Sequence, residues 1–94
     1  MEETARAHVI ITGRVQGVFF RMETKRAADR IGVSGWVRNR PEGTVEAVFE
    51  GDKEKVEAAI NWCRVGSPGS QVTDVAVTWK PFEGTHEHFE VTYF

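Results

Sequence analysis

The stretch Val9-Ile10-Ile11-Thr12-Gly13-Arg14-Val15-Gln16-Gly17-Val18-Phe19-Phe20-Arg21 passes through three kinds of local structure in quick succession. Its apolar opening reads as a strand, with Ala7, Val9 and Ile11 on one face. The middle is a loop at 13–21, punctuated by Gly13 and Gly17. Its end enters a helix, because Phe20, Thr24, Ala27, Ala28 and Ile31 recur at i, i+4, i+7, i+8 and i+11. Gly32 is the expected stop of that helix. A strand, a loop and a helix start gather backbone N–H groups around one point, and the helix dipole favours an anion there. The two glycines let successive amides turn inward. Arg21 adds a permanent charge with a planar fork of donors, suited to phosphate or carboxylate. Spacing alone leaves two readings open: an oxyanion cradle with an arginine at its lip, or an ordinary strand-to-helix loop with a solvated arginine. Walker A does not apply, since three residues separate the glycines and no Gly-Lys-Ser/Thr follows. GxGxxG is absent as well.

Outward from this stretch, the pattern alternates between the two periods. Residues 1–5 read as a loose terminus. Residues 33–39 read as a second strand and Arg40-Pro41-Glu42-Gly43 as a turn. Residues 44–50 alternate, with Val45, Ala47 and Phe49 inward and Glu46, Val48 and Glu50 outward. Gly51-Asp52 reads as a break and an N-cap. A second helix follows, with Val56, Ala59, Ile60 and Cys63 on its apolar face. Residues 66–70 form a loop by composition. Residues 72–79 are a fourth strand with Val75, Val77 and Trp79 on one side. After a connection at 80–87, Phe89, Val91 and Tyr93 mark a last strand, expected to return by a hairpin. The order β-α-β-β-α-β plus a terminal strand is the split βαβ plan. The expected fold class is α+β: a ferredoxin-like βαββαβ sandwich, with two helices on one face of a largely antiparallel four- to five-stranded sheet in the order 4-1-3-2. Strands one and two then run parallel with strand three between them. Their C-terminal ends meet at one edge, so Asn39 approaches the 13–21 loop.

Ninety-four residues make one domain, 1–94, rather than two. A net charge of −2 with interleaved signs opposes a general nucleic-acid or anionic-membrane surface. No apolar run reaches membrane-spanning length, and the first residues lack the pattern of a signal peptide. One cysteine, Cys63, forms no internal disulfide, so a cytoplasmic protein is expected, as a monomer.

The motifs GRVQGVFFR at 13–21, GWVRN at 35–39 and GTVEAVFEG at 43–51 resemble those of the acylphosphatase family, and the resemblance extends over almost the whole chain. It implies hydrolysis of the carboxyl–phosphate bond of a small-molecule acyl phosphate, without metal or cofactor. It also implies the roles of particular residues. Arg21 corresponds to the phosphate-binding arginine and Asn39 to the asparagine that orients the attacking water. The backbone amides of Val15, Gln16, Gly17, Val18, Phe19 and Phe20 correspond to the phosphate loop. Arg40 departs from members with a small hydroxyl residue after the asparagine. Inorganic phosphate or sulfate is expected to compete for the loop, which recognises the oxyanion.

Chemistry agrees with the resemblance. The carboxylate of an acyl phosphate is already a good leaving group. A protein needs mainly to hold the phosphoryl group, spread its charge and aim a water in line. Asn39 can accept from and donate to water but is no general base near neutral pH. A phosphate oxygen of the substrate is the base consistent with the family. RNA binding would need paired aromatics and basic residues on the open sheet face, where strand three instead presents Glu46, Val48 and Glu50. A non-catalytic anion binder on the same architecture is the other rival, separated by a hydrolysis assay. His86-Glu87-His88 lacks a third ligand at a known spacing and reads as solvated. His8 reads as a strand residue without chemistry, Cys63 as core, and Trp36, Trp62 and Trp79 as packing. Arg14 and Arg38 are expected near the site, and Lys25, Arg26 and Arg30 on a solvated helix face. The expected hairpin brings Phe94 and its carboxylate toward Arg21.

Overall fold

A computed structural model describes residues 3–93. Strand β1 (Thr4–Arg14) leads through residues 15–19 to helix α1 (Phe20–Ile31), followed by β2 (Ser34–Asn39) and β3 (Val45–Asp52). Helix α2 (Lys53–Val65), β4 (Gln71–Lys80) and β5 (Phe89–Val91) complete the order. The sheet runs β4-β1-β3-β2-β5. Its pairs are antiparallel except β2 with β5, which are parallel. The fold class and the strand order of the first four strands match expectation.

Both helices present the stripes that the periodicity marked. Phe20, Thr24, Ala27 and Ala28 are buried from α1, and Val56, Ala59, Ile60 and Cys63 from α2. They cover the sheet face carrying Val9, Ile11, Val37, Val45, Ala47 and Phe49, all buried. Phe89 joins this layer, stacked on Phe49 at 5.4 Å between centroids. Phe20 packs against Trp62 at 5.6 Å. Deleting a ring so enclosed costs about 3–5 kcal/mol, so Phe20 anchors the start of α1 directly beneath the loop. Gly32 ends α1 in a left-handed conformation, its N–H donating to the Ala28 carbonyl.

Several expectations are corrected. Thr4 and Ala5 belong to β1 rather than to a loose terminus, because they pair with Asp52 and Gly51. Gly13 and Arg14 also lie in β1, so the loop proper begins at Val15. A register shift between Thr12 and Gly13 bends the strand there. Gly13 is required at that bend: its φ is 132°, and a Cβ would stand 2.1 Å from the Gln71 carbonyl oxygen. Asp52 occupies the N-cap of α2 without a side-chain capping bond.

The last strand does not form a hairpin with β4. Residues 81–88 carry the chain from the β4 edge to the β2 edge, passing over the sheet face opposite the helices. Glu50, expected to point outward, does so but is fully buried. The Glu83 amide donates to Glu50 Oε2 at 2.7 Å, and Arg6 Nη1 lies 3.1 Å from the same oxygen. Burial pushes the Glu50 carboxyl up, but these donors together with the Gly84 amide hold it below the usual carboxylate range. Trp79 is less enclosed than its packing role implied, at 48% exposure, with Lys53 over its ring at 6.0 Å.

Candidate active site

Ile11 pairs with Val45, and Val45 with Asn39. One row across three strands thus sets the end of β2 beside the end of β1. Side chains alternate along β2, so Asn39 shares the helix-covered face with Val37 while Arg38 turns to the other. There Arg38 Nε meets Glu46 Oε1 at 2.6 Å, and His8 Nε2 meets Glu46 Oε2. Burial raises the Glu46 carboxyl, and the bonds from His8 and Arg38 outweigh it, holding it low. Arg38 is therefore committed to the opposite face, contrary to its expected place at the site. His8, on the same face, shares this carboxylate through a hydrogen bond.

Beyond β1 the chain turns through residues 15–19. Val15 is buried and Gly17 has a φ of 74°. Phe19 adopts left-handed angles (φ 57°, ψ 26°), the one non-glycine residue with positive φ among those described. The first backbone bond closing α1 runs from Glu23 N–H to the Phe19 carbonyl at 3.0 Å. Among the described residues, the amides of 16–21 find no acceptor. Open amides at the start of a twelve-residue helix are an anion-binding arrangement.

Two side chains hold this loop in place. Gln16 Nε2 donates to the carbonyls of Arg40 (2.8 Å) and Thr44 (2.9 Å), tying the loop to the β2–β3 turn. Ser67 Oγ donates to the Val18 carbonyl at 3.2 Å from the loop after α2. Neither role was expected. A polar residue set between Val15 and Gly17 is the one signal that pointed to Gln16. The turn itself, closed by Arg40 N–H to Thr44 O at 2.9 Å, is where composition placed it.

Arg21 and Asn39 line one cavity of about 410 Å3 together with Val15, Gly17, Phe19 and Phe20. Lys25 also lines it while pairing with Asp29 at 2.8 Å, so it is not merely part of a solvated helix face. Among the described residues, the buried Asn39 Oδ1 has no hydrogen-bond partner. Register explains the remaining wall. Val91 pairs with Val37, so the chain past β5 reaches the level of Asn39. There Tyr93 sets its ring 5.0 Å from the Arg21 guanidinium carbon. Phe94, expected to bring its carboxylate to Arg21, lies outside the described residues. Arg14 is exposed and does not line the cavity. Among the described residues, no three His, Cys, Asp or Glu side chains gather into a metal-binding group.

Comparison with known proteins agrees with this arrangement. The acylphosphatase family model matches residues 7–91. An acylphosphatase of Pelotomaculum thermopropionicum is 49% identical over 89 residues, covering 95% of this chain and 97% of that one. One from Syntrophobacter fumaroxidans is 56% identical over 88 residues, covering 94% and 91%. The crystal structure of acylphosphatase from Bacillus subtilis superposes with a TM-score of 0.91 at 37% identity, covering 95% of this chain and 99% of that one. With the loop, the arginine and the asparagine assembled as the motifs implied, the chain belongs to the acylphosphatase family.

Proposed function

We propose that, in the hydrolysis of acyl phosphates, Arg21 and the backbone amides of 15–20 hold the phosphoryl group while Asn39 orients the attacking water. The observation that carries this division is the cavity itself. Arg21, Asn39 and the loop, whose amides are unpaired among the described residues, line it together. Among the described residues the buried Asn39 Oδ1 is committed to no other group, and an amide side chain can both accept from and donate to water.

In the proposed step the water oxygen forms a bond to phosphorus as the bridging P–O bond breaks. The electron pair of that bond leaves with the carboxylate. The second water proton passes to a phosphoryl oxygen, so the products are carboxylate and dihydrogen phosphate. Arg21 and the amides stabilise charge on the equatorial oxygens, and no covalent enzyme intermediate is needed. The reading includes independence from metal and cofactor. It also includes a cytoplasmic monomer of one domain, 1–94, acting on a small molecule without nucleic acid or membrane. Its support is the family match from 7 to 91, the balanced charge and the single buried Cys63. No helix among the described residues is long and apolar enough to cross a membrane.

The test is hydrolysis of benzoyl phosphate in the presence of a chelator, with a phosphate monoester as control and inorganic phosphate or sulfate as competitor. The expected outcome is chelator-insensitive hydrolysis of the acyl phosphate alone, inhibited competitively by either anion. Activity abolished by chelation and restored by one metal, or non-competitive inhibition by phosphate, contradicts the reading.

A further inference from the structure

The catalytic cavity is larger than a phosphoryl group requires, and its outer wall is apolar. At the roughly 30 Å3 that a water-sized group occupies in a liquid, the atoms of a phosphoryl group fill about 120–150 Å3. The cavity measures about 410 Å3. More than half remains for whatever the phosphoryl group carries.

Beside Lys25 and Val91, the cavity lining includes Phe19, Met22 and Tyr93. Their exposures are 75%, 50% and 82%, three of the large apolar or aromatic residues left open to solvent. Scattered singly, such residues need no explanation; gathered around one cavity, they do. Phe19 gives the strongest indication. Its backbone sits at φ 57°, a conformation that glycine or asparagine adopts at least cost and a bulky side chain resists. At 75% exposure the ring gains little burial within the protein to offset that strain. Turning the loop amides inward requires the backbone angle but not a phenyl ring. Met22, in the first turn of α1, adds an adaptable thioether of the kind that packs on aromatic groups.

We infer that Phe19, Met22 and Tyr93 form an acyl subsite that favours acyl phosphates with a bulky, preferably aromatic, acyl group over those with a short one. The inference rests on the phosphoryl reading above, because the acyl group occupies this wall only when the phosphoryl group lies against Arg21 and the loop. The occupant follows from continuity: the leaving carboxylate is joined to the phosphoryl group, and the apolar rim belongs to the same cavity. Aromatic rings stack on Phe19 and Tyr93 and meet the Met22 sulfur, whereas a methyl group spans too little of the rim to touch all three.

The experiment compares kcat/KM for benzoyl phosphate and acetyl phosphate in the wild type, Met22→Ala and Phe19→Asn. Asparagine keeps access to the left-handed backbone while removing the ring. Dividing each variant by the wild type on the same substrate cancels the intrinsic reactivity of the two anhydrides. Each variant is expected to lose about five- to twentyfold on benzoyl phosphate, several times its loss on acetyl phosphate, as for a partial apolar contact in a pocket. Equal losses on the two substrates, or no loss on either, overturn the subsite while leaving the phosphoryl reading intact. Failure of the wild type to hydrolyse either substrate overturns the phosphoryl reading and the subsite with it.

Discussion

Replacing Gln16 by methionine tests whether the phosphate loop is held against the strand that carries Asn39. Methionine is close in volume but cannot donate the bonds to Arg40 O at 2.8 Å and Thr44 O at 2.9 Å. Each neutral hydrogen bond contributes about 0.5–1.5 kcal/mol net. Neither carbonyl is left without a partner, because Gly43 N–H still donates to Arg40 O and Arg40 N–H to Thr44 O. The loss is therefore about 1–3 kcal/mol, without the added penalty of a stranded acceptor. In a domain of this size it lowers Tm by about 5–20 °C. Release of the clamp also loosens the distance between the loop amides and Asn39, and a misplacement of about 1 Å can cost roughly a hundredfold in rate. A loss of about tenfold or more in kcat is expected. Thermal unfolding by circular dichroism, with kcat on benzoyl phosphate at 25 °C, reads both effects. Gln16→Glu is expected to be worse than methionine, since it turns a carboxylate toward two carbonyls. A wild-type Tm and kcat in Gln16→Met, or a fully active Gln16→Glu, would refute the clamp.

Two further outcomes follow from buried groups. Glu50 is held below its ordinary value of 4.5, so between that value and the folded one the unfolded chain binds more protons. Its stabilisation is present above the unfolded pKa and is lost as pH falls through the folded one; urea unfolding from pH 7 down to pH 3 is expected to show a flatter acid limb for Glu50→Gln, and identical limbs would contradict this. The Cys63 thiol, fully buried, is pushed up to about 12, so a thiol reagent at pH 8 is expected to modify it only on unfolding; rapid modification of the native protein would contradict its place in the core.

The periodic parts of the fold were legible because burial repeats at 3.6 residues in helices and at 2 in strands. Thr24, Ala27 and Ala28, and Val56, Ala59, Ile60 and Cys63, lie where those repeats place them. The approach of Asn39 to the loop was legible too, because strand order alone puts two parallel strand ends at one edge. Contacts fixed by distant segments were not. Glu50 alternates correctly to the outer face, yet no local pattern shows that residues 81–88 cross that face and bury it. The route of the last strand to β2 was equally hidden, since period-2 alternation marks a strand but not its neighbour. That route also places Tyr93 over Arg21. Gln16 was counted for its backbone amide, while the bonds of its side chain reach residues 24 and 28 positions away.

The division of labour between Arg21 and Asn39 is tested most directly by measuring inorganic phosphate affinity alongside turnover in Arg21→Ala and Asn39→Ala. Both variants are expected to lose more than about a hundredfold in kcat, the scale of single oriented donors to a developing charge. Arg21→Ala should also bind phosphate much more weakly, because it loses a charge-assisted contact to the anion, and lysine should restore only part of it. Asn39→Ala should keep phosphate affinity close to that of the wild type, since its task is to place water. If Asn39→Ala binds phosphate as poorly as Arg21→Ala, or if either variant hydrolyses benzoyl phosphate at a near-normal rate, the assignment is contradicted.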